Sequence, residues 1–244
     1  MSTTRVPSSP ATVSIRLRSG QVLEDLDWAS VSAEWFERAV PWRVFRWYQG
    51  QRHYSGFYWS ATMQDHVVYE SRLELARLLC ADFDPVVRLI FAQPFLLEAR
   101  IEGRVRRHVP DFLLLTDVGP VVVDVKPARL LARPEAAFTL GWTARAVAAR
   151  GWEYEVFTEP PVAWLENIRF LAGYRRAELI DPGVVCELRA LDLVGGTLGQ
   201  GFAALPERPA ALVRAAVLHL LWRGELTADL ERPLTGSCLL GGTR

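Results

Sequence analysis

Three side chains capable of chemistry stand close together in residues 108–126, HVPDFLLLTDVGPVVVDVK. Asp111 opens one apolar run, residues 112–115, while Asp124 and Lys126 close a second, residues 121–125. Turn-forming Asp117, Gly119 and Pro120 between the runs predict an antiparallel hairpin. Side chains alternate along a strand, so Asp124 and Lys126 share one face, and Val121, Val123 and Val125 the other. Opposite charges at the end of a buried valine run carry a desolvation cost that asks for a reason. Carboxylates at facing strand ends can hold a hard divalent cation such as Mg²⁺, with Mn²⁺ as its substitute, through oxygen ligands. One or two such ions would supply an activated water, which Lys126 would orient or deprotonate. The Val125 carbonyl is available to complete the shell. A plain hairpin ending in an Asp–Lys surface pair is the alternative.

A count sharpens the first reading. Of 28 lysines and arginines, Lys126 is the only lysine, and the other 27 are arginine. Arginine is a planar fork that keeps its proton, whereas lysine is a compact ammonium that can give its proton up when buried. A salt bridge would have tolerated arginine here. The position asks for an amine.

Several elements must position these groups. Residues 67–81, VVYESRLELARLLCA, are expected to form a helix with Leu75, Leu78 and Leu79 on its apolar face. Glu70 and Glu74 lie one turn apart on a common face of that helix. Glu74 is the favoured third acid and Glu70 its competitor; an exposed helix glutamate is the ordinary reading of either. Residues 86–97 are strand-like and broken at Pro94, and residues 100–107 form a polar hairpin tip holding Arg100, Arg104, Arg106 and Arg107. Such a tip either grips phosphates or is a solvated turn. Beyond Lys126, Pro127 stops the strand and Pro134 starts a helix that runs to Arg150, with Gly151 as its cap. Residues 152–158 alternate as a further strand. The order is helix, three strands, helix, strand.

The flanks are less specific. Residues 1–10 read as a flexible arm, residues 14–26 as an alternating segment turning at Ser19-Gly20, and residues 28–40 as a helix. Residues 41–60 interleave Trp42, Trp47, Tyr48, Tyr54, Phe57, Tyr58 and Trp59 with Arg43, Arg46 and Arg52. They form either a pair of core-packing strands turning at Gln49-Gly50 or a surface on which bases stack. Pro160-Pro161 marks a boundary, giving residues 1–40 as arm and helix, 41–160 as the core and 161–244 as a C-terminal domain. That domain holds helices at residues 163–174 and 208–222 and strand-like pieces at 234–240, a winged-helix-like pattern suited to DNA or to a protein partner. A net charge of zero argues against an autonomous, charge-driven nucleic-acid binder. Cys80, Cys186 and Cys238 form no CxxC pair, which excludes a zinc ribbon and fits a reducing cytoplasm. No apolar run is long enough to span a membrane.

The order P-D, spacer, D-x-K resembles the signature of PD-(D/E)xK nucleases. The runs YESRLELARLL, HVPDF and VVVDVKP resemble, more narrowly, the TnsA-type endonucleases, the nuclease subunits of heteromeric transposases, over residues 42–159. Ser71 to Glu74 is the most family-specific piece, and some members carry glutamine where this chain has Asp124. The resemblance implies an α/β fold with a restriction-endonuclease-like core: helix, three-stranded antiparallel meander, helix, strand. It implies an active site of Glu74, Asp111, Asp124 and Lys126, and Mg²⁺-dependent nicking of double-stranded DNA at the 5′ ends of a mobile element. It also implies two partners, a DDE-type transposase subunit and an ATPase regulator. Arg104, Arg106, Arg107 and Arg129 are the candidate DNA contacts. A stand-alone restriction or repair nuclease, or a non-cutting scaffold of the same fold, are the competing expectations.

Overall fold

The computed structural model describes residues 11–32, 34–43 and 55–243. The expected arm at residues 1–10 and the turn at Gln49-Gly50, with Arg46, Trp47, Tyr48, Arg52 and Tyr54, lie outside them. The fold is mixed α/β, with antiparallel and mixed sheets. The chain divides into two compact units, Met1–Arg77 with Val86–Glu159, and Leu78–Pro85 with Pro160–Arg244.

The first unit opens with β1 (Thr12–Arg16) and β2 (Val22–Asp27), an antiparallel pair whose turn includes Gly20 at φ 88°. The helix expected over residues 28–40 is only one turn, α1 (Glu34–Glu37). Long-range bonds take the place of helical ones. The Trp28 indole N–H donates to the Ala146 carbonyl at 2.8 Å, and the Arg150 guanidinium donates to the Trp28 and Val31 carbonyls. Within the described residues of that segment, β1 and β2 belong to a four-stranded sheet of the first unit.

Among the described residues the aromatic segment gives one strand, β3 (Gly56–Ser60), whose partner follows it: β4 (Asp65–Tyr69). That pairing moves the start of the next helix, α2 (Arg72–Phe83), five residues past the expected Val67. Ser71 caps it: its hydroxyl accepts the Glu74 N–H at 3.1 Å, while a Glu74 carboxylate oxygen accepts the Glu70 N–H at 2.7 Å. This reciprocal arrangement is close to a capping box. Ser71→Ala is expected to cost about 1 kcal/mol, read as a lower urea midpoint at unchanged slope. The strand-like stretch over residues 86–97 is broken at Pro94, as expected, into β5 (Val87–Ala92) and β6 (Leu96–Ile101), which enter different sheets. Between them Gln93 takes φ 46° and Pro94 cannot donate to a ladder.

Strand β6 turns at Glu102-Gly103 (φ 51° and 75°) into β7 (Arg104–His108), the expected basic hairpin. Positive φ at both central residues is the tight-hairpin geometry that glycine makes cheap. One sheet has the order β2-β1-β6-β7. The second contains β5, then β8 (Phe112–Thr116), β9 (Gly119–Val125) and β10 (Glu153–Phe157), in the order β10-β9-β8-β5. Its first three strands in sequence form an antiparallel meander, into which the β6–β7 hairpin is inserted. Helix α3 (Pro134–Ala149) carries the chain over to β10, which lies parallel to β9. Gly151, at φ 76°, follows the helix end.

Val13, Ile15 and Leu97 from the first sheet, Phe95 just before β6, Leu113 and Val122 from the second sheet, and Trp142 and Val147 from α3 share one core cluster. Each such side chain stabilises the fold by about 1.5–3 kcal/mol. Within it Trp28, Phe36, Phe95 and Trp152 pack ring against ring at 5.1–5.7 Å.

The second unit is mostly helical: α4 (Val162–Leu171), α5 (Pro182–Arg189), α6 (Leu198–Phe202) and α7 (Ala210–Trp222), with two 3-10 turns between α4 and α5. The C-terminal half of α7, from Ala216 to Trp222, is buried on every face rather than amphipathic. The strand-like pieces at residues 234–240 amount to isolated bridges, Thr197 with Leu239 and Thr227 with Gly241, so no wing hairpin stands among the described residues. Cys80, Cys186 and Cys238 form no disulfide. No helix of the described residues is long and apolar enough to cross a membrane.

Candidate active site at the end of the central hairpin

Register places the acidic residues. Phe112 pairs with Val123 in the β8–β9 ladder, so one step further Asp111 stands opposite Asp124. Residues directly opposite on neighbouring strands have Cβ atoms about 4.5–5.5 Å apart. The Asp111 Oδ2 accepts the Val125 N–H at 2.6 Å, fixing its side chain on the end of β9.

Asp124 is completely buried, which excludes the surface Asp–Lys pair. Its partners are His108, whose Nε2 is 2.8 Å from both carboxylate oxygens, and Tyr154, whose hydroxyl donates to Oδ2 at 2.5 Å. Burial first, and then the Asp124 charge, push the Tyr154 phenol above its ordinary range, so it stays an O–H donor.

Glu74 comes from the first turn of α2. One turn later Arg77, 9 % exposed, bonds Glu155 of β10 at 2.7 Å and lies over the Phe157 ring, fastening the helix to the sheet. Glu70, the competing acid, is instead paired with Arg43 at 3.4 Å.

The electrostatics join the four expected residues. The Asp111 carboxyl is pushed up to about 7, first by burial and then by the charges of Asp124 and Glu74; the Val125 N–H and Lys126 pull the other way. Glu74 is also raised, chiefly by burial, with Lys126 again opposing. Lys126, half-buried one residue past β9, makes no ion pair or hydrogen bond from its amine among the described residues.

A divalent cation fits this donor set in two respects. The charges of Asp124 and Glu74 both act against that of Asp111, and protein donors already hold all three carboxylates: Glu74 by the Glu70 N–H, Asp111 by the Val125 N–H, and Asp124 by Tyr154 at Oδ2 and by His108 at both oxygens. Outer donors of this kind orient metal-ligating carboxylates. The donors do not close into a finished cage: among the described residues no group of three acidic, histidine or cysteine side chains is close enough to hold an ion as it stands.

The basic candidates separate. Arg107 is bound to Glu98 at 2.6 Å, and Arg106 lies 4.8 Å over the Phe138 ring with its Nε buried and unbonded. Arg104 on β7 and Arg129 in the 3-10 turn Ala128–Leu130 remain exposed. His108 and Tyr154 were not expected at the site. Strand parity carried a signal for the second, since Tyr154 pairs with Val122 in the parallel ladder and so shares the face of Asp124.

In comparisons with known proteins, the chain matches no protein-family model and no curated protein.

Proposed function

We propose that this protein is a metal-dependent DNA endonuclease with a restriction-endonuclease-like core, acting as the nuclease subunit of a heteromeric transposase. The observation that carries the reading is the convergence of Glu74, Asp111 and Asp124 with the chain's only lysine at the end of one hairpin. The meander β5-β8-β9, flanked in sequence by α2 and by α3 with β10, supports the fold assignment.

Glu74, Asp111 and Asp124, with the Val125 carbonyl, would hold Mg²⁺. The bound ion would polarise the scissile phosphate and lower the pKa of a water. The chain's own residues do the rest. Lys126 Nζ, without a competing partner among the described residues, orients the attacking water or takes its proton, and Arg104 and Arg129 hold backbone phosphates without reading sequence. The alternative of a stand-alone restriction or repair nuclease uses the same chemistry, and a partner requirement separates the two. The second unit is the proposed docking platform for the DDE-type subunit or the ATPase regulator.

The test is nicking of supercoiled DNA with Mg²⁺, alone and with a DDE-type transposase subunit. Cleavage is expected to vanish with EDTA and to fall by about 10²-fold or more in Asp111→Asn. Metal-independent cutting, or a variant as active as the unchanged chain, would exclude the proposed site. No cutting under any condition favours the scaffold reading, which the incomplete cage also suits.

A further inference from the structure

We infer that His108 and Tyr154 are positioning residues of this site, clamping the Asp124 carboxylate so that it meets a divalent cation in one fixed orientation. The inference rests on the cation site of the proposed nuclease. Asp111 and Glu74 are each held by a backbone N–H, but Asp124 is held only by side chains. Its orientation is thus the one most open to substitution.

The clamp is assembled from separate elements. His108 ends β7, Asp124 lies in β9 and Tyr154 in β10, while Trp142 of α3 packs its ring against the imidazole at 6.3 Å. A carboxylate can only accept, so the His108 nitrogen facing both oxygens carries a proton. Tyr154 adds a second donor on Oδ2, leaving Oδ1 as the less encumbered oxygen. Fold stability alone does not account for this cluster. A fully buried carboxylate with two side-chain donors is often no more stabilising than well-packed apolar residues of similar volume, and Val122, two positions earlier on the same face, is such a residue. What the clamp supplies is direction, because an oxygen ligand fixed in advance loses no rotamer freedom when the ion arrives.

Tyr154→Phe removes one hydroxyl and leaves the ring's packing in place. Calorimetry with Mn²⁺ at fixed pH should show affinity about tenfold weaker than in the unchanged chain, within the range for outer-shell donors. The Mg²⁺ concentration for half-maximal cleavage should rise in step, while the rate at saturating Mg²⁺ recovers. A general loss of structure would not produce that split. His108→Gln, which keeps a donor, should lose less affinity than His108→Ala. Equal Mn²⁺ affinity in Tyr154→Phe and the unchanged chain would overturn the clamp and leave the nuclease reading intact. Absence of Mn²⁺ binding by the unchanged chain would overturn the cation site and the clamp together. Normal Mn²⁺ binding without cleavage by the unchanged chain would count against the nuclease, while the weaker binding of Tyr154→Phe still supported the clamp.

Discussion

Lys126→Arg should abolish most DNA cleavage while leaving the fold intact. Arginine serves at every other basic position of the chain, so positive charge alone does not explain this lysine. A guanidinium keeps the charge, but it is wider, presents its donors in a fixed fork and does not give up a proton at any working pH. Two carboxylates, Asp111 and Glu74, lie within the field of Lys126. An arginine there would form a bidentate pair with one of them and draw it away from a cation. Losing the water's orientation and its proton acceptor together should cost about 10²-fold or more, the scale of general acid–base catalysis. The valine face of β9 is untouched, since Val121, Val123 and Val125 are buried whichever residue follows them. The melting temperature should therefore change little. Single-turnover cleavage beside a thermal melt checks both halves, and a near-unchanged rate would remove the lysine from the mechanism.

The second large effect is on stability. Asp111 is raised from 3.8 to about 7 in the folded chain, so between those values the folded state binds the extra proton. A carboxyl group raised in this way stabilises the fold fully below its unfolded pKa, and that contribution is lost as pH climbs through the folded one. At about 1.4 kcal/mol per unit, the loss across the window is about 4 kcal/mol. Glu74, raised in the same direction, adds to it. Asp117, Glu159, Glu187 and Glu225 are lowered and act in the opposite sense at the acid end, so the clean observable is a difference between two chains. Asp111→Asn can still accept the Val125 N–H and carries no charge. It should match the unchanged chain near pH 4 and exceed it by a few kcal/mol above pH 7. Mn²⁺ at alkaline pH should raise the melting temperature of the unchanged chain and not of the variant. If urea denaturation gives the same pH profile for both chains, Asp111 is not the strained group.

The hairpins around the site were legible because their signals are local. Apolar runs separated by Asp117, Gly119 and Pro120, a glycine beside Glu102, and Pro134 and Gly151 at the ends of α3 each state their own geometry. The failures lie where a distant partner decides. Val67, Val68 and Tyr69 suit a helix or a strand, and pairing with β3 selects the strand, which delays α2 to Arg72 behind the Ser71 cap. Residues 28–40 have a helical apolar pattern, but Trp28 and Val31 give their polar groups to Ala146 and Arg150, more than a hundred residues away. In the site, Asp111 and Asp124 were visible through strand register. His108 was not, because β7 belongs to the other sheet and only the fold brings its end to Asp124, and Tyr154 carried no more than its strand parity, because its role depends on β10 lying beside β9.

The lone amine described above also makes the molecule its own reporter. Apart from the chain's α-amine, an amine-selective reagent has one target, Lys126, and that target borders Asp111 and Glu74. Reductive methylation with ¹³C-formaldehyde would therefore place a single side-chain resonance at the site in a protein of 27.5 kDa, with no competing lysine signals to assign. Titrating Mn²⁺ or a DNA duplex against that resonance would separate ion binding from substrate binding without a turnover event, even in the absence of any partner subunit.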